Sequence, residues 1–326
     1  MIHLNLSICG NLNQDSSLLH KLLEEFKDTL SMPAQVDVTL IPWETYRQEL
    51  TTMALYNRIG DVSQAGAPVA SDMMAMNALR PFTDQELEEM GGTAAFVPAA
   101  WQSTQQISDK QVWSIPWMAD PRVFFYWRDL FEQAQVNEEI AFQSPEDLTE
   151  AMRKIQAGGV SEPWGITAGH KHSALHTVAS WIWASGGQFV SKDGKQALLL
   201  EPKALAGLKA YFGMMRFMAP ESQSADYQTN NQLFVNRQSA VILGNGETAT
   251  FIINRIPPEM RSRLNVALPF GAPLVGGSSL MVWHRSLYEE AAVNLVRFLV
   301  GQTVQEVYPF SLDHLPVRQE VVTQPP

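Results

Sequence analysis

The sequence predicts an α/β protein of two lobes, each built on an open, mostly parallel sheet. Three observations carry this expectation. Strand-like alternation and helical periodicity take turns along the first third of the chain. The pattern restarts after a tryptophan- and proline-rich stretch at Val112–Trp117. The length, 326 residues, suffices for two cores.

Alternation from Leu4 to Ile8 predicts a strand that Gly10-Asn11 ends. Leu18, Leu19, Leu22, Leu23 and Phe26 recur at helical spacing. Val36, Val38 and Leu40 alternate as a second strand, stopped by Pro42-Trp43. A helix with Tyr46, Leu50 and Met53 on one side follows, then a short strand at Asp61–Gln64. Strands separated by helices of this length favour right-handed parallel crossovers. Pro116 in the stretch Val112–Trp117 implies an edge, a bend or a crossing rather than a central strand, and Val123–Trp127 after it reads as another strand. Ser144-Pro145-Glu146-Asp147 reads as a helix start, with Ser144 as cap and Pro145 in the first turn. Trp164–Ile166 is a short strand, the helix through Trp183 ends at Gly186-Gly187, and Asp193-Gly194 is a hairpin turn. Ala240–Leu243, Leu264–Ala267 and Ser279–Trp283 are further strands, and Ala291–Leu299 is an apolar helix.

The formal charge is −11 and the basic residues form no stripe. That argues against nucleic acid and against anionic lipid as partners, since both need a cationic footprint. One cysteine, Cys9, excludes an internal disulfide and any multi-cysteine metal site. No apolar run approaches the ~20 residues of a membrane span.

In order along the chain, Gly60–Gln64, Leu79–Phe82, Ile115-Pro116-Trp117 with Asp120 and Arg122, Tyr126–Phe131, Trp164–Ile166, Trp183–Gly187, Phe234–Ala240, Gly276–Ser279 and Leu315–Arg318 form a series of blocks. Their order and spacing resemble the maltose-binding type of extracellular solute-binding protein, which serves sugar-importing ABC transporters. The resemblance implies a type II periplasmic-binding-protein-like fold. Its lobes would be 1–115 plus 275–310 and 119–272 plus 311–326, joined by hinge crossings near Ala119-Asp120 and Pro273-Leu274. It also implies a carbohydrate or related solute bound without chemistry in a cleft outside the carboxyl ends of the strands, as open α/β sheets favour. The expected partners are an ABC permease or a fused signalling domain, and the expected state is a monomer. The expected location is extracytoplasmic, with a cytoplasmic sensor domain as the alternative. The chain departs from the family pattern in having no export signal at Met1 and in stopping soon after Leu315–Arg318.

The ligand-binding set expected from these readings is Asn11, Trp43, Asp120, Arg122, His176, Trp183, Glu247 and Ser278. Nine tryptophans suit saccharides, because pyranose C–H faces stack on indole while hydroxyls take planar polar groups. Packing competes for every one of those rings. Asp120 and Arg122 alternate and so share a side of a strand; they either pair with each other or grip adjacent hydroxyls. At helical spacing His172, His176, Ala179 and Trp183 form one stripe, beside a core-facing stripe of Leu175, Val178 and Ile182.

Three other functions compete. His170, His172 and His176 could serve a metal receptor, though no HExxH motif or nearby carboxylate completes the set. Gly244-Asn245-Gly246-Glu247-Thr248-Ala249 matches the dinucleotide fingerprint of an NAD-dependent enzyme. The strand at Leu264–Ala267 lacks the ribose-binding acid, so a glycine turn that places Glu247 at the cleft fits better. A glycosidase needs only two carboxylates at the right separation. No metal, cofactor or catalytic residue is expected.

Overall fold

The alternation at Leu4–Ile8 produces β1 (Ile2–Cys9), and the second alternating run produces β2 (Ala34–Ile41). β3 (Val62–Ala65) and β4 (Ile115–Pro121) follow in a computed structural model that describes residues 1–10, 16–56, 60–105, 111–167, 174–272 and 274–324. Next come β5 (Val123–Trp127), β6 (Trp164–Gly165), β7 (Val241–Gly244) and β8 (Leu264–Ala267). The chain then returns through β9 (Val275–Val282) and β10 (Leu315–Pro316). It divides into two compact units, Met1–Asp120 with Gly276–Pro326, and Pro121–Val275. The expected sites at Asn11, His170, His172 and Pro273 lie outside the described residues.

The first unit holds a sheet in the order β10-β4-β9-β3-β1-β2. β1 runs parallel to both β2 and β3, as helical crossovers require. Leu4 and Leu6 on β1 are fully buried. The helix Ser17–Lys27 supplies Leu19, Leu22, Leu23 and Phe26 to the core, and the helix Glu289–Leu299 supplies Leu295, Val296 and Leu299. Phe26 and Phe298 meet with ring centroids 5.5 Å apart. Asp61, 1% exposed, accepts from the Asn5 backbone N–H at 2.8 Å and from the Ser286 hydroxyl at 2.5 Å. Its carboxylate therefore locks β1 to the chain after β9 and is spent on structure.

Two expectations need correction. The sheets are mixed rather than mostly parallel. In the second unit (order β6-β7-β5-β8), β5 runs antiparallel to both β7 and β8, and only β6–β7 is parallel. The strands on either side of β5 are supplied by chain more than a hundred residues later, so local periodicity carries no sign of their direction. The tail, expected in the second lobe, belongs to the first unit. β10 pairs antiparallel with β4, Val317 is buried, and the Val97 N–H donates to the Val317 carbonyl at 2.8 Å.

The second unit packs around aromatic rings. Trp127 stacks on Phe234 at 5.1 Å, and Phe124 touches Phe142, Trp164 and Phe270. Ser144 caps the helix Pro145–Ala157 by accepting from the Asp147 N–H, as its sequence implies. Beside this core, Glu138 accepts from Tyr126 at 2.7 Å and from Arg128 at 3.0 Å. Burial works against the charged form of Glu138, but these hydrogen bonds outweigh it and hold the carboxyl below its ordinary 4.5. A depressed native value means that the stabilisation is whole above about 4.5 and is lost as pH falls through the native value. Melting curves between pH 7 and pH 3 should therefore fall more steeply for the wild type than for Glu138→Gln. Parallel curves would show that the network contributes nothing.

Candidate functional site

Most of the tryptophans are committed to packing. Trp117, Trp127, Trp164 and Trp181 are almost wholly buried, and Trp283 is 4% exposed with its indole N–H on the Ser63 hydroxyl. Trp101 stacks on Phe96, and Trp113 packs against the core of the first unit. Elimination leaves Trp43 and Trp183, both in the expected set.

In the first unit the parallel register sets Cys9 beside Ile41, so β1 and β2 end together. Two residues past Ile41 stands Trp43, 41% exposed, edge-on to Tyr46 at 5.5 Å. The Tyr46 phenol lies against Gly66, where β3 turns into the helix Ala67–Ala75. Burial pushes the Tyr46 phenol up to about 12, the neighbouring Cys9 adds to the rise, and a Gly66 backbone hydrogen bond opposes it. Burial alone raises the Cys9 thiol to about 12. Gln64 accepts from the Cys9 backbone N–H at 2.9 Å and donates to Ser278 Oγ at 2.9 Å. Ser278 reaches this place because β9 pairs antiparallel with β3, Ser279 opposite Ala65. Cys9, Tyr46, Gln64 and Ser278 thus form a connected patch of groups that stay neutral at physiological pH, beside an exposed indole.

The residue before Ser278 makes this approach possible. Gly277 has φ +140°, and a Cβ there would lie 2.1 Å from the Met118 carbonyl oxygen. Asp120 is half-buried at the end of β4 and is the last residue of the first unit before the chain enters the second.

The second unit brings together Arg122 and His176. Arg122 is 5% exposed, its backbone N–H donates to the Leu274 carbonyl at 3.1 Å, and Nη2 lies 3.1 Å from His176 Nδ1. A guanidinium can only donate, so Nδ1 accepts and the ring N–H sits on Nε2. Val123 faces Gly244 across β5–β7, which sets Arg122 beside Asn245. Asn245 caps the helix Gly246–Ile253, with Oδ1 accepting from the Thr248 N–H at 3.2 Å. Glu247 is exposed in the first turn of that helix.

His176 and Trp183 lie on the helix Ala174–Ala184, and both are half-buried, as their stripe predicts. Trp183 stands edge-on to Phe189 at 6.0 Å. Ile182 on the core-facing stripe is fully buried as expected, and the stripe reading is corrected at two positions. Ala179, placed on the open face, is fully buried, whereas Leu175, placed on the core face, is 46% exposed. Both sides of this helix pack, with Trp181 reaching Trp164, Tyr211 and Phe270. Among the described residues no group of three or more His, Cys, Asp or Glu side chains gathers as a metal centre. The glycine turn does not build a dinucleotide fold, since β5 separates β7 from the next strand, β8.

Sequence reasoning missed Gln64 and Tyr46. A signal for Gln64 exists: glutamine inside a short strand of otherwise small or apolar residues must bury its amide, and a buried amide needs partners.

Residues 21–326 match the family model described as bacterial extracellular solute-binding protein. A binding protein of Brucella abortus is 24% identical over 289 residues, 86% of this chain and 68% of its own length. An ABC transporter solute-binding protein from Thermotoga lettingae, bound with α-D-tagatose, superimposes with a TM-score of 0.79 at 21% identity. The match covers 99% of this chain and 83% of that one. The sugar-binding protein MalE of Xanthomonas citri gives a TM-score of 0.85 at 19% identity over 99% of this chain and 81% of its own.

Proposed function

Because the chain belongs to the family of bacterial extracellular solute-binding proteins, we propose that it binds a carbohydrate or polyol outside the cytoplasm and delivers it unchanged to an ABC-type permease. The observation that carries the saccharide reading is the neutral polar patch beside Trp43. Hydroxyl-rich ligands need donors and acceptors without net charge and an apolar ring face to stack on. Cys9, Tyr46, Gln64 and Ser278 supply the first, and Trp43 the second. The tagatose bound by the Thermotoga lettingae protein supports the same ligand class. Arg122, His176, Trp183, Asp120 and Glu247 are the further proposed contacts, with Arg122 and His176 as donors to ligand hydroxyls.

Thermal-shift titration with maltose, D-tagatose and D-mannitol tests this. A saccharide at a hundred times its dissociation constant should stabilise the protein by about 2.7 kcal/mol. Trp43→Ala should weaken that binding by roughly 1–3 kcal/mol while leaving the melting temperature of the free protein nearly unchanged. Failure of every saccharide to raise the melting temperature would overturn the proposal.

A further inference from the structure

The Gln64 side chain is 3% exposed and spans from β1 to β9. Its orientation is not free. The Cys9 backbone group is a donor only, so the amide oxygen must face β1 and the amide nitrogen must face Ser278. A flipped amide would set N–H against N–H. Nε2 therefore donates and Ser278 Oγ accepts at 2.9 Å. Among the described residues Gln64 is the one side chain that hydrogen-bonds to Ser278 Oγ. With that lone pair occupied, the hydroxyl proton of Ser278 is turned away from Gln64.

We propose that Gln64 is a positioning residue that fixes Ser278 as a hydrogen-bond donor, so that this point of the site selects an oxygen acceptor on the bound saccharide. The assignment rests on the saccharide reading above and sharpens it. A ring, glycosidic or hydroxyl oxygen has the lone pair that such a donor requires, and an ammonium group in its place has none. Specificity arises because a site built around a fixed donor rejects a partner that leaves that donor unmet.

Gln64→Glu tests the polarity directly, since the side chain keeps its length. Ionised, the carboxylate accepts from both Cys9 and Ser278, drawing the serine proton inward. Protonated, it accepts from Cys9 and donates to Ser278, as the amide does. Burial raises a carboxyl's pKa, so the two forms are reached at pH 8 and pH 5. The neighbouring Cys9 thiol and Tyr46 phenol, each raised to about 12, stay neutral across that range. Asp120, on the strand beside β9, is common to both proteins.

Calorimetric titration should use whichever of maltose, D-tagatose and D-mannitol stabilises the wild type. The variant is expected to bind about tenfold more weakly than wild type at pH 8 and to recover toward it at pH 5. Ser278→Ala should bind weakly at both pH values, with or without Gln64→Glu. Wild-type affinity of Gln64→Glu at pH 8, or an equal loss at both pH values, overturns the assignment. If Gln64→Glu does not fold, Gln64→Met removes the donor while keeping the bulk. Gln64→Met and Ser278→Ala should then lose affinity non-additively, and additive losses overturn the assignment. A wild type that takes none of the three saccharides refutes the saccharide reading itself, and this assignment falls with it.

Discussion

Replacing Gly277 with alanine is expected to destabilise the protein by on the order of 3 kcal/mol, combining overpacking with backbone strain. The added methyl would lie 2.1 Å from the Met118 carbonyl oxygen and 3.1 Å from the Ala119 Cα, both backbone atoms with little room to retreat. The backbone at φ +140° adds its own penalty for any residue with a Cβ. β9 lies between β4 and β3, so relieving the clash shifts it against β3 and disturbs the fit of Ser278 to Gln64. Saccharide binding should therefore fall together with the melting temperature, by about 6–12 °C if the transition follows domains of this size. An alanine variant that melts like wild type would show that β9 does not press on β4 at this point.

Trp181→Ala should cost about 3–5 kcal/mol, the range for removing a large buried aromatic side chain. Its ring is 1% exposed and makes edge contacts with Trp164 at 6.1 Å, Tyr211 at 6.0 Å and Phe270 at 4.7 Å. Two residues further along the same helix, Trp183→Ala should do the opposite. It is half-buried with an edge contact to Phe189, so its loss should weaken binding by roughly 1–3 kcal/mol with a much smaller fall in stability. Paired melts and calorimetry on the two variants separate core from site on one helix. Equal losses of stability would place Trp183 in the core and remove it from the proposed contacts.

The contrast between those neighbours shows where a sequence is readable. Periodicity located the helix and its half-open stripe at His176 and Trp183, because those depend on spacing alone. It misassigned Ala179 and Leu175, because burial depends on what packs against the helix. In the same way Leu4–Ile8, Val36–Leu40 and the Ser144 cap were legible as local patterns. The antiparallel course of β5 and the return of β10 to β4 were not, since each is decided by pairing with distant chain. The clearest case is Gln64, whose partners lie 55 and 214 residues away along the sequence. Trp43 and Ser278 could be proposed as contacts through strand ends and block order. That the Gln64 amide is buried is legible in its strand, but its two partners, which set the direction of the Ser278 hydrogen bond, emerge only once three strands are seen side by side.

This chain is proposed to hold a saccharide and return it unaltered. Equilibrium dialysis of the purified protein against maltose, D-tagatose and D-mannitol, followed by mass spectrometry of the recovered sugar, tests both halves at once. The expected result is saturable retention of at least one of them, near one molecule per chain, with its mass and linkage unchanged after prolonged incubation. Retention of none, or release of a hydrolysed or oxidised product, would contradict the account.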